Sequence, residues 1–402
     1  MYFRTVDNLW YKLLQDNLHL FSDNNKVNAN FYTSTKIAVG SRRKSFVNFF
    51  GLDGRSYEHI YDLALELYEK RHLVKLPLEL IKEEPTVFFN DGEGHGPSEL
   101  FDAIHMLIDV CKLDGHIRYE NSSVNISDIY TQYCRNRMML PKMSVDYTGN
   151  PSFFDPNNKH YALPKNYSFT EQEDVNKKLY CSFNWNAWDH RLGLIALLHY
   201  YNLLNDGYVT SPGKNKYGYS DEDYKVLYDC NTRYLTSLDV YNSVIESLNS
   251  LKGNYPLKID DRSQYVDTDT PLMDVYLKLP LYEARRNSLF EIVCETRFTK
   301  EHWFSEKTFW PIKVARPFFI VNGAGCLQSL KKLGFKTYDD YIDESYDIEQ
   351  DVPKKLQKIC KEVIRLQNLR TRDPVSFYQM YNKLKEIAQY NSEVFKNRNV
   401  NL

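Results

Sequence analysis

Residues 288–347, SLFEIVCETRFTKEHWFSEKTFWPIKVARPFFIVNGAGCLQSLKKLGFKTYDDYIDESYD, decide the fold. An apolar run from Leu289 to Cys294 ends at Glu295, and a loop then leads into Ser305-Glu306-Lys307. These three open a helical segment stopped by Pro317, and a second apolar run, Phe318 to Val321, ends in the turn Asn322-Gly323-Ala324-Gly325. Strand, loop, helix, strand and turn in that order spell a parallel α/β unit. In such units the carboxyl ends of strands and the starts of helices face the ligand crevice, which is where Glu295, Glu306 and Lys307 fall. A helix N-terminus favours anions, so a lysine in its first turn points to a negative guest, a phosphate. The plainer reading is a capped surface helix, with Ser305 as N-cap and Glu306 in the first turn.

A second stretch repeats the pattern. Tyr180–Pro212, YCSFNWNAWDHRLGLIALLHYYNLLNDGYVTSP, reads as strand, polar turn and a helix whose first turn holds His190-Arg191. The plainer reading of Arg191 is a salt bridge with Asp189 or a neighbouring carboxylate, and His190 reads as structural.

Glu295 followed by Ser305-Glu306-Lys307-Thr308 resembles the Glu…(Thr/Ser)-Glu-Lys nucleotide-sugar motif of the α-1,3-fucosyltransferases. It is also similar to a group of phage-encoded glycosyltransferases, through the tail Leu333-Gly334-Phe335-Lys336-Thr337 and Asp343-Glu344-Ser345-Tyr346-Asp347. The resemblance covers roughly residues 177–350. It implies that Glu306 bonds the ribose hydroxyls and that Lys307 neutralises the diphosphate. It also implies that Arg191 is a second phosphate ligand, with Asn184 or Asn186 lining the site. Trp185, Ala187 and Trp188 depart from the phage pattern, which usually has Arg or Pro there. The tail Asp343–Asp347 reads as structural, with Asp343 and Glu344 as minor donor-side candidates.

A chain of 402 residues exceeds what one core usually supports, so two domains are expected. Hydrophobic residues make up 43% and aromatics 15%, which argues against disorder. With 51 Lys plus Arg against 53 Asp plus Glu, no global basicity marks a nucleic-acid binder, and any such surface is a local patch. The N-terminus has no basic-then-apolar signal pattern and no window approaches a membrane span, so a soluble cytoplasmic protein is expected. The seven cysteines are scattered and form no CxxC pair, which speaks against structural zinc and a disulfide framework.

Along the chain, strands are expected at Asn28–Thr35, Thr86–Asn90, Met143–Tyr147, Lys178–Phe183 and Tyr208–Thr210. Helices are expected at Tyr57–Glu69, from Ser98 (as N-cap) to Cys111, at Ile126–Met138 and at Asp189–Leu204. A helical region follows over Ser220–Leu251, and two amphipathic helices, Pro353–Leu369 and Val375–Phe395, close the chain. Thr148–Gln172 has no period and reads as a linker. The expected architecture is α/β and GT-B-like, two Rossmann-like domains facing a cleft. They are an acceptor-binding domain over 1–160 and a donor domain over 175–350, with helices over 351–402 packing across both.

Transfer from a nucleoside diphosphate sugar needs charge neutralisation on the leaving diphosphate and, for inversion, a base for the acceptor. Arg191 and Lys307, with Lys300 or Arg297 as a third, supply the charge without a metal or other cofactor. Asp267-Thr268-Asp269 matches a metal-binding DxD in letters but follows no strong strand and reads as a solvated turn. Asp91, Glu93 and His95, in a Gly-rich loop after a strand, are the base candidates; a turn capped by Asp91 is the alternative. Trp185, Trp188, Trp303 and Trp310 lie near the expected cleft, most of them as core.

The first domain resembles no family. The Asn-, Lys- and Tyr-rich style resembles that of T-even-type phages, which glycosylate hydroxymethylcytosine in their DNA. Arg42, Arg43 and Lys44, with Lys70-Arg71, are the candidate contacts to double-stranded DNA, against the reading of a solvated loop. A surface glycan or lipid-linked sugar is the other acceptor class, and a non-catalytic nucleotide-binding protein is the competing function.

Overall fold

In a computed structural model of the chain, the structure describes residues 13–14, 16–22, 45–48, 56–76, 87–91, 97–112, 117–121, 123–147, 176–184, 188–211, 238–251, 254, 257, 279–296, 298 and 300–398. The chain divides into two compact units. The first comprises residues 1–150 with 301–303, and the second 151–300 with 304–402.

The first unit alternates strand and helix: β1 (Ser45–Asn48), α1 (Ser56–Glu69), β2 (Val87–Asp91), α2 (Pro97–Cys111), β3 (Ile117–Asn121), α3 (Ile126–Asn136) and β4 (Ser144–Tyr147). Its sheet is parallel in the order β1-β2-β3-β4, with Ser45 opposite Val87, Val87 opposite Ile117 and Arg118 opposite Ser144. Spatial order equals chain order, so among the described strands the sheet never reverses. The apolar positions of α2, Leu100, Ile104, Leu107, Ile108 and Cys111, are all buried. They join Leu63 and Leu67 of α1 and Ile117 and Tyr119 of β3 in one core. Phe101 stands edge-on to Tyr119, Tyr130 and Tyr133 at 5.6, 5.0 and 5.2 Å, the arrangement that aromatic quadrupoles favour. Helix α2 starts at Pro97 rather than after a Ser98 cap; proline suits a first helical position because its missing N–H would be unpaired there anyway. Strands β1 and β3 were not expected, and the Asn28–Thr35 strand lies outside the described residues.

The second unit contains β5 (Lys178–Phe183), α4 (Asp189–Tyr200), β6 (Gly207–Thr210), α5 (Leu238–Leu251), α6 (Leu279–Arg286), β7 (Ser288–Cys294), α7 (Glu306–Lys313), β8 (Phe318–Val321), α8 (Cys326–Lys332), α9 (Val352–Arg372) and α10 (Pro374–Arg398). Its sheet is parallel in the order β6-β5-β7-β8. The chain leaves β5 for β6 on one side, then crosses to β7 on the other. The strand order therefore reverses between β5 and β7. Every residue of β7 and β8 is buried, which explains why β8 is apolar throughout and β7 apolar save Ser288 and Glu291, because a parallel strand covered on both faces has no solvent side to mark with polar residues.

Three helices stop earlier than the sequence suggests, for one reason. Helix α3 ends at Asn136, not Met138, because Met138 turns left-handed at φ 50, its N–H donating to Arg135 O at 3.1 Å and that of Met139 to Cys134 O at 3.0 Å. Helix α4 ends at Tyr200, not Leu204, because Asn202 turns left-handed at φ 58. Its N–H donates to His199 O at 2.9 Å and that of Leu203 to Leu198 O at 2.8 Å. Helix α7 ends at Lys313, ahead of Pro317, where Ala315 turns at φ 53; Ala315 N donates to Ile312 O at 3.1 Å and Arg316 N to Pro311 O at 2.9 Å. All three are Schellman closures, which satisfy the last carbonyls of a helix. Gly207 opens β6 opposite Tyr180, where a Cβ would stand 2.4 Å from the Tyr180 ring. The α/β expectation with two parallel-sheet units holds, and α9 and α10 belong to the second unit.

Candidate functional site

Ligands of open parallel sheets bind beyond the carboxyl ends of the strands where the order reverses. In the second unit those ends are Asn184, after β5, and Glu295, after β7. Both stretches singled out in the sequence thus meet at one switch point.

Glu295 is fully buried. Its Oε1 accepts from Ser305 N at 3.0 Å and from the Thr308 hydroxyl, and its Oε2 accepts from Ser305 Oγ at 2.6 Å and Thr296 N at 3.2 Å. Ser305 is the N-cap of α7, as its position predicts; its Oγ accepts from Lys307 N at 3.2 Å while donating to Glu295. The Glu295 carboxylate therefore closes the loop from 296 to 304 and fixes the first turn of α7.

The other half of the clamp comes from α4. Arg191 Nη2 donates to Cys294 O at 3.2 Å and Glu295 O at 3.0 Å, and His190 Nε2 to Glu295 O at 2.8 Å. A carbonyl can only accept, so the proton of neutral His190 sits on Nε2. Burial, with the charge of Arg191 beside it, pushes the His190 pKa down to about 3, against the hydrogen bond to Glu295 O. His190 is structural, as read from the sequence. Arg191 is 2% exposed and ties α4 to β7.

Glu306 and Lys307 differ from this scaffold by being accessible: each side chain keeps 15% exposure while Glu295 keeps none. They form an ion pair, and Lys307 Nζ also donates to Thr296 Oγ1 at 3.1 Å. Burial alone would raise the Glu306 carboxyl, but the charge and hydrogen bond of Lys307, with Arg191 more weakly, hold it below the usual carboxylate range. The result is an anionic acceptor and a cation side by side at a helix N-terminus.

Asn184 is buried at 2% exposure; its N–H donates to Thr210 O at 3.3 Å and Thr210 Oγ1 at 3.2 Å, and its Nδ2 to Ser182 Oγ at 3.2 Å. Trp188, at the start of α4, is 39% exposed, whereas Trp310 is core. Lys300 is exposed. The turn after β8 is closed internally: Asp347 accepts from Leu327 N at 3.1 Å and Cys326 Sγ at 3.0 Å, and Gly325 N donates to Asp347 O at 2.9 Å. Lys355 of α9, fully buried, donates to Asn322 O, Gly323 O and Asp347 O at 2.7, 3.3 and 3.2 Å. Asp343 caps its own turn through Ser345 N at 2.9 Å, and Glu344 accepts from Tyr338 N at 2.7 Å. The tail is structural.

Asp91 ends β2, its backbone opposite Asn121. Glu93, His95, Asn186, Arg42, Arg43, Lys44, Arg297 and Asp267–Asp269 lie outside the described residues, as does the Asp91 side chain. Sequence reasoning missed Thr296, Thr308 and Lys355. Thr308 stands in the quoted Ser-Glu-Lys-Thr segment, but nothing in the spacing marks it as a partner of Glu295. Among the described residues no group of three or more His, Cys, Asp or Glu could hold a metal ion, and no helix is long and apolar enough to cross a membrane.

No known protein family matches the chain, and no curated protein matches it. Among solved structures, the chain is similar to an α,α-trehalose-phosphate synthase (UDP-forming) from Burkholderia vietnamiensis, at 12% identity and a TM-score of 0.37. The match covers 87% of this chain and 80% of that one.

Proposed function

We infer that the second unit binds a nucleoside diphosphate sugar, with UDP as the favoured nucleotide, and that the protein is a glycosyltransferase. One observation carries this reading: at the β5/β7 reversal a fully buried frame of Glu295, Ser305, Thr308, His190 and Arg191 holds Glu306 and Lys307 as the accessible pair at the start of α7. Lys307 and the helix terminus meet the charge of the diphosphate, and Glu306 accepts from ribose hydroxyls. Arg191, whose guanidinium grips the β7 carbonyls, acts as a positioning residue and adds its field to the phosphate site.

In the transfer, the acceptor oxygen bonds to the anomeric carbon as the bond from that carbon to the diphosphate oxygen breaks. The acceptor proton passes to a base, for which Glu93, with Asp91 and His95 beside it in sequence, is the candidate. The diphosphate leaves with its charge stabilised by fixed donors instead of a metal. The acceptor we assign is a hydroxymethylated base in DNA, resting on Arg42, Arg43 and Lys44 of the sequence; a glycan acceptor is the alternative outcome of the test.

Thermal stability measured with millimolar UDP, GDP, CMP and ADP tests the donor half. Ligand at a hundred times its dissociation constant adds about 2.7 kcal/mol, so one diphosphate is expected to stabilise the protein. No shift with any of them sinks the reading and leaves a non-catalytic protein. DNA as acceptor predicts binding that weakens steeply between 50 and 200 mM salt, by about a factor of 1,000 for six phosphate contacts; salt-insensitive binding of a glycan would replace it.

A further inference from the structure

Asn184 carries a second, unspent observation. Ser182 Oγ donates its single proton to Ile292 O at 3.1 Å, so toward Asn184 it can only accept, and it does so from Asn184 Nδ2 at 3.2 Å. That fixes the amide: nitrogen toward Ser182, oxygen away from it. The Oδ1 so aimed is buried and has no hydrogen-bond partner among the described residues.

Its neighbour across the sheet is in the same state. Strands β5 and β6 pair with Phe183 opposite Thr210, so the next step of the register sets Asn184 opposite Ser211. Registered residues of parallel strands point to the same face, about 4.8 Å apart in the hydrogen-bonding direction. Ser211 N is used by Leu257 O at 3.1 Å, but Ser211 Oγ, 1% exposed in its residue, is buried with no partner among the described residues. Native proteins leave few buried polar side-chain atoms unpaired, and each such atom asks for an explanation. Here two stand side by side at the carboxyl ends of adjacent strands, next to the switch point.

We propose that Asn184 and Ser211 form a neutral hydrogen-bonding subsite that takes an uncharged O–H or N–H donor of the nucleotide sugar. The inference rests on the donor-binding reading above. Asn184 Oδ1 accepts the ligand proton; the Ser211 hydroxyl both donates and accepts, as recognition of a sugar hydroxyl or a base ring N–H requires. Neither side chain is charged, so the subsite adds selectivity for the sugar or base rather than grip on the phosphates. A single trapped water is the competing occupant.

The test is calorimetric titration of the full chain and of Ser211→Ala with UDP, UDP-glucose, GDP and GDP-mannose. Loss of one hydrogen bond to ligand is expected to weaken binding about tenfold. Weakening confined to a nucleotide sugar assigns the subsite to the sugar; equal weakening of the bare nucleotide assigns it to the base. Unchanged binding of every probe by Ser211→Ala means that a water sits there and overturns the proposal. If the wild-type chain binds none of the four, the donor reading itself fails, and the subsite with it. Should Ser211→Ala not fold, Ser211→Cys, nearly the same shape with a weak donor, is titrated in its place against the same two outcomes.

Discussion

The guanidinium of Arg191 lies 3.0 Å from the carbonyl oxygen of Glu295, joining residues 104 apart in the chain. The bond locks the start of α4 to the end of β7, the two strand–helix corners on either side of the sheet reversal. Arg191→Lys replaces a planar fork by a single ammonium and disrupts the bonds to Cys294 O and Glu295 O, the second of which keeps His190 as a donor. A loss of about 1–3 kcal/mol is expected in urea unfolding. An Arg191 that served the phosphates alone would lose donor affinity in this variant and keep its stability.

Glu306 and Lys307 should behave in the opposite way. Each side chain keeps 15% exposure against 2% for Arg191, so the pair is only part-buried. Lys307→Ala and Glu306→Gln are therefore expected to lose less stability in urea than Arg191→Lys while weakening binding of a diphosphate nucleotide tenfold or more. Equal binding by wild type and Lys307→Ala would remove lysine from the phosphate site.

Glu295→Gln separates frame from contact. The amide can keep the acceptor role at only one atom, and its NH2 then confronts the donors Ser305 and Thr308 or Thr296. A stability loss of about 2–3 kcal/mol is expected, since hydrogen bonds to a charged acceptor are the strong ones. Donor affinity should fall as well, because the first turn of α7 is set by this carboxylate. A variant of wild-type stability would show that the four bonds do not hold the loop.

His190 predicts a pH dependence. Burial lowers its folded pKa to about 3 from an ordinary 6.5, so the folded state resists a proton that the unfolded chain accepts. The associated stability is fully present above pH 6.5 and is lost as pH falls from there toward 3. The slope is about 1.4 kcal/mol per pH unit below pH 6. His190→Gln, which can still donate to Glu295 O, should flatten that slope by about one proton in urea titrations between pH 7 and 5. His105 contributes in the same sense in the first unit, where burial, chiefly, lowers it to about 4.

The second unit was legible because its signals are local. The run 318–321 is apolar without a break and 289–294 apolar but for Glu291, and Ser305 announces the helix it caps. Strand β3 was missed although its alternation was present: Ile117, Tyr119 and Asn121 are buried, with Arg118 and Glu120 between them, and those two charges read as loop. Strand β1, SFVN, is too short to carry a period. The helix ends near Met138 and Ala315 were illegible because left-handed residues of these types leave no mark in the sequence, whereas Asn202 is of a type that favours such a position. In the site, the motif marked Glu306 and Lys307, but spacing could not show that Glu295 and Arg191 serve the frame. Arg191 meets its partners 103 and 104 residues away across a sheet crossover, and the Glu295 carboxylate meets its own only once the loop to α7 folds back on it.

Beneath the site, Arg285 and Glu291 form a buried pair: Nε to Oε2 at 2.9 Å, Nη2 to Oε1 at 2.6 Å, with 3% and 5% of the side chains exposed. The guanidinium also lies 5.0 Å from the Phe183 ring and 5.3 Å from that of Trp310, so α6, β5, β7 and α7 all meet on it. Attraction between two such charges is offset by the cost of taking both out of water, so the pair adds little net stability, whereas breaking it strands one charge. Glu291→Leu alone should destabilise by about 3–5 kcal/mol, while Arg285→Met with Glu291→Leu should return to within about 1 kcal/mol of wild type. Urea unfolding of the two single variants and the double variant gives the coupling directly. A double variant as unstable as the worse single one would show instead that the guanidinium is needed for its contacts with the rings, and that packing rather than charge holds α7 against the sheet.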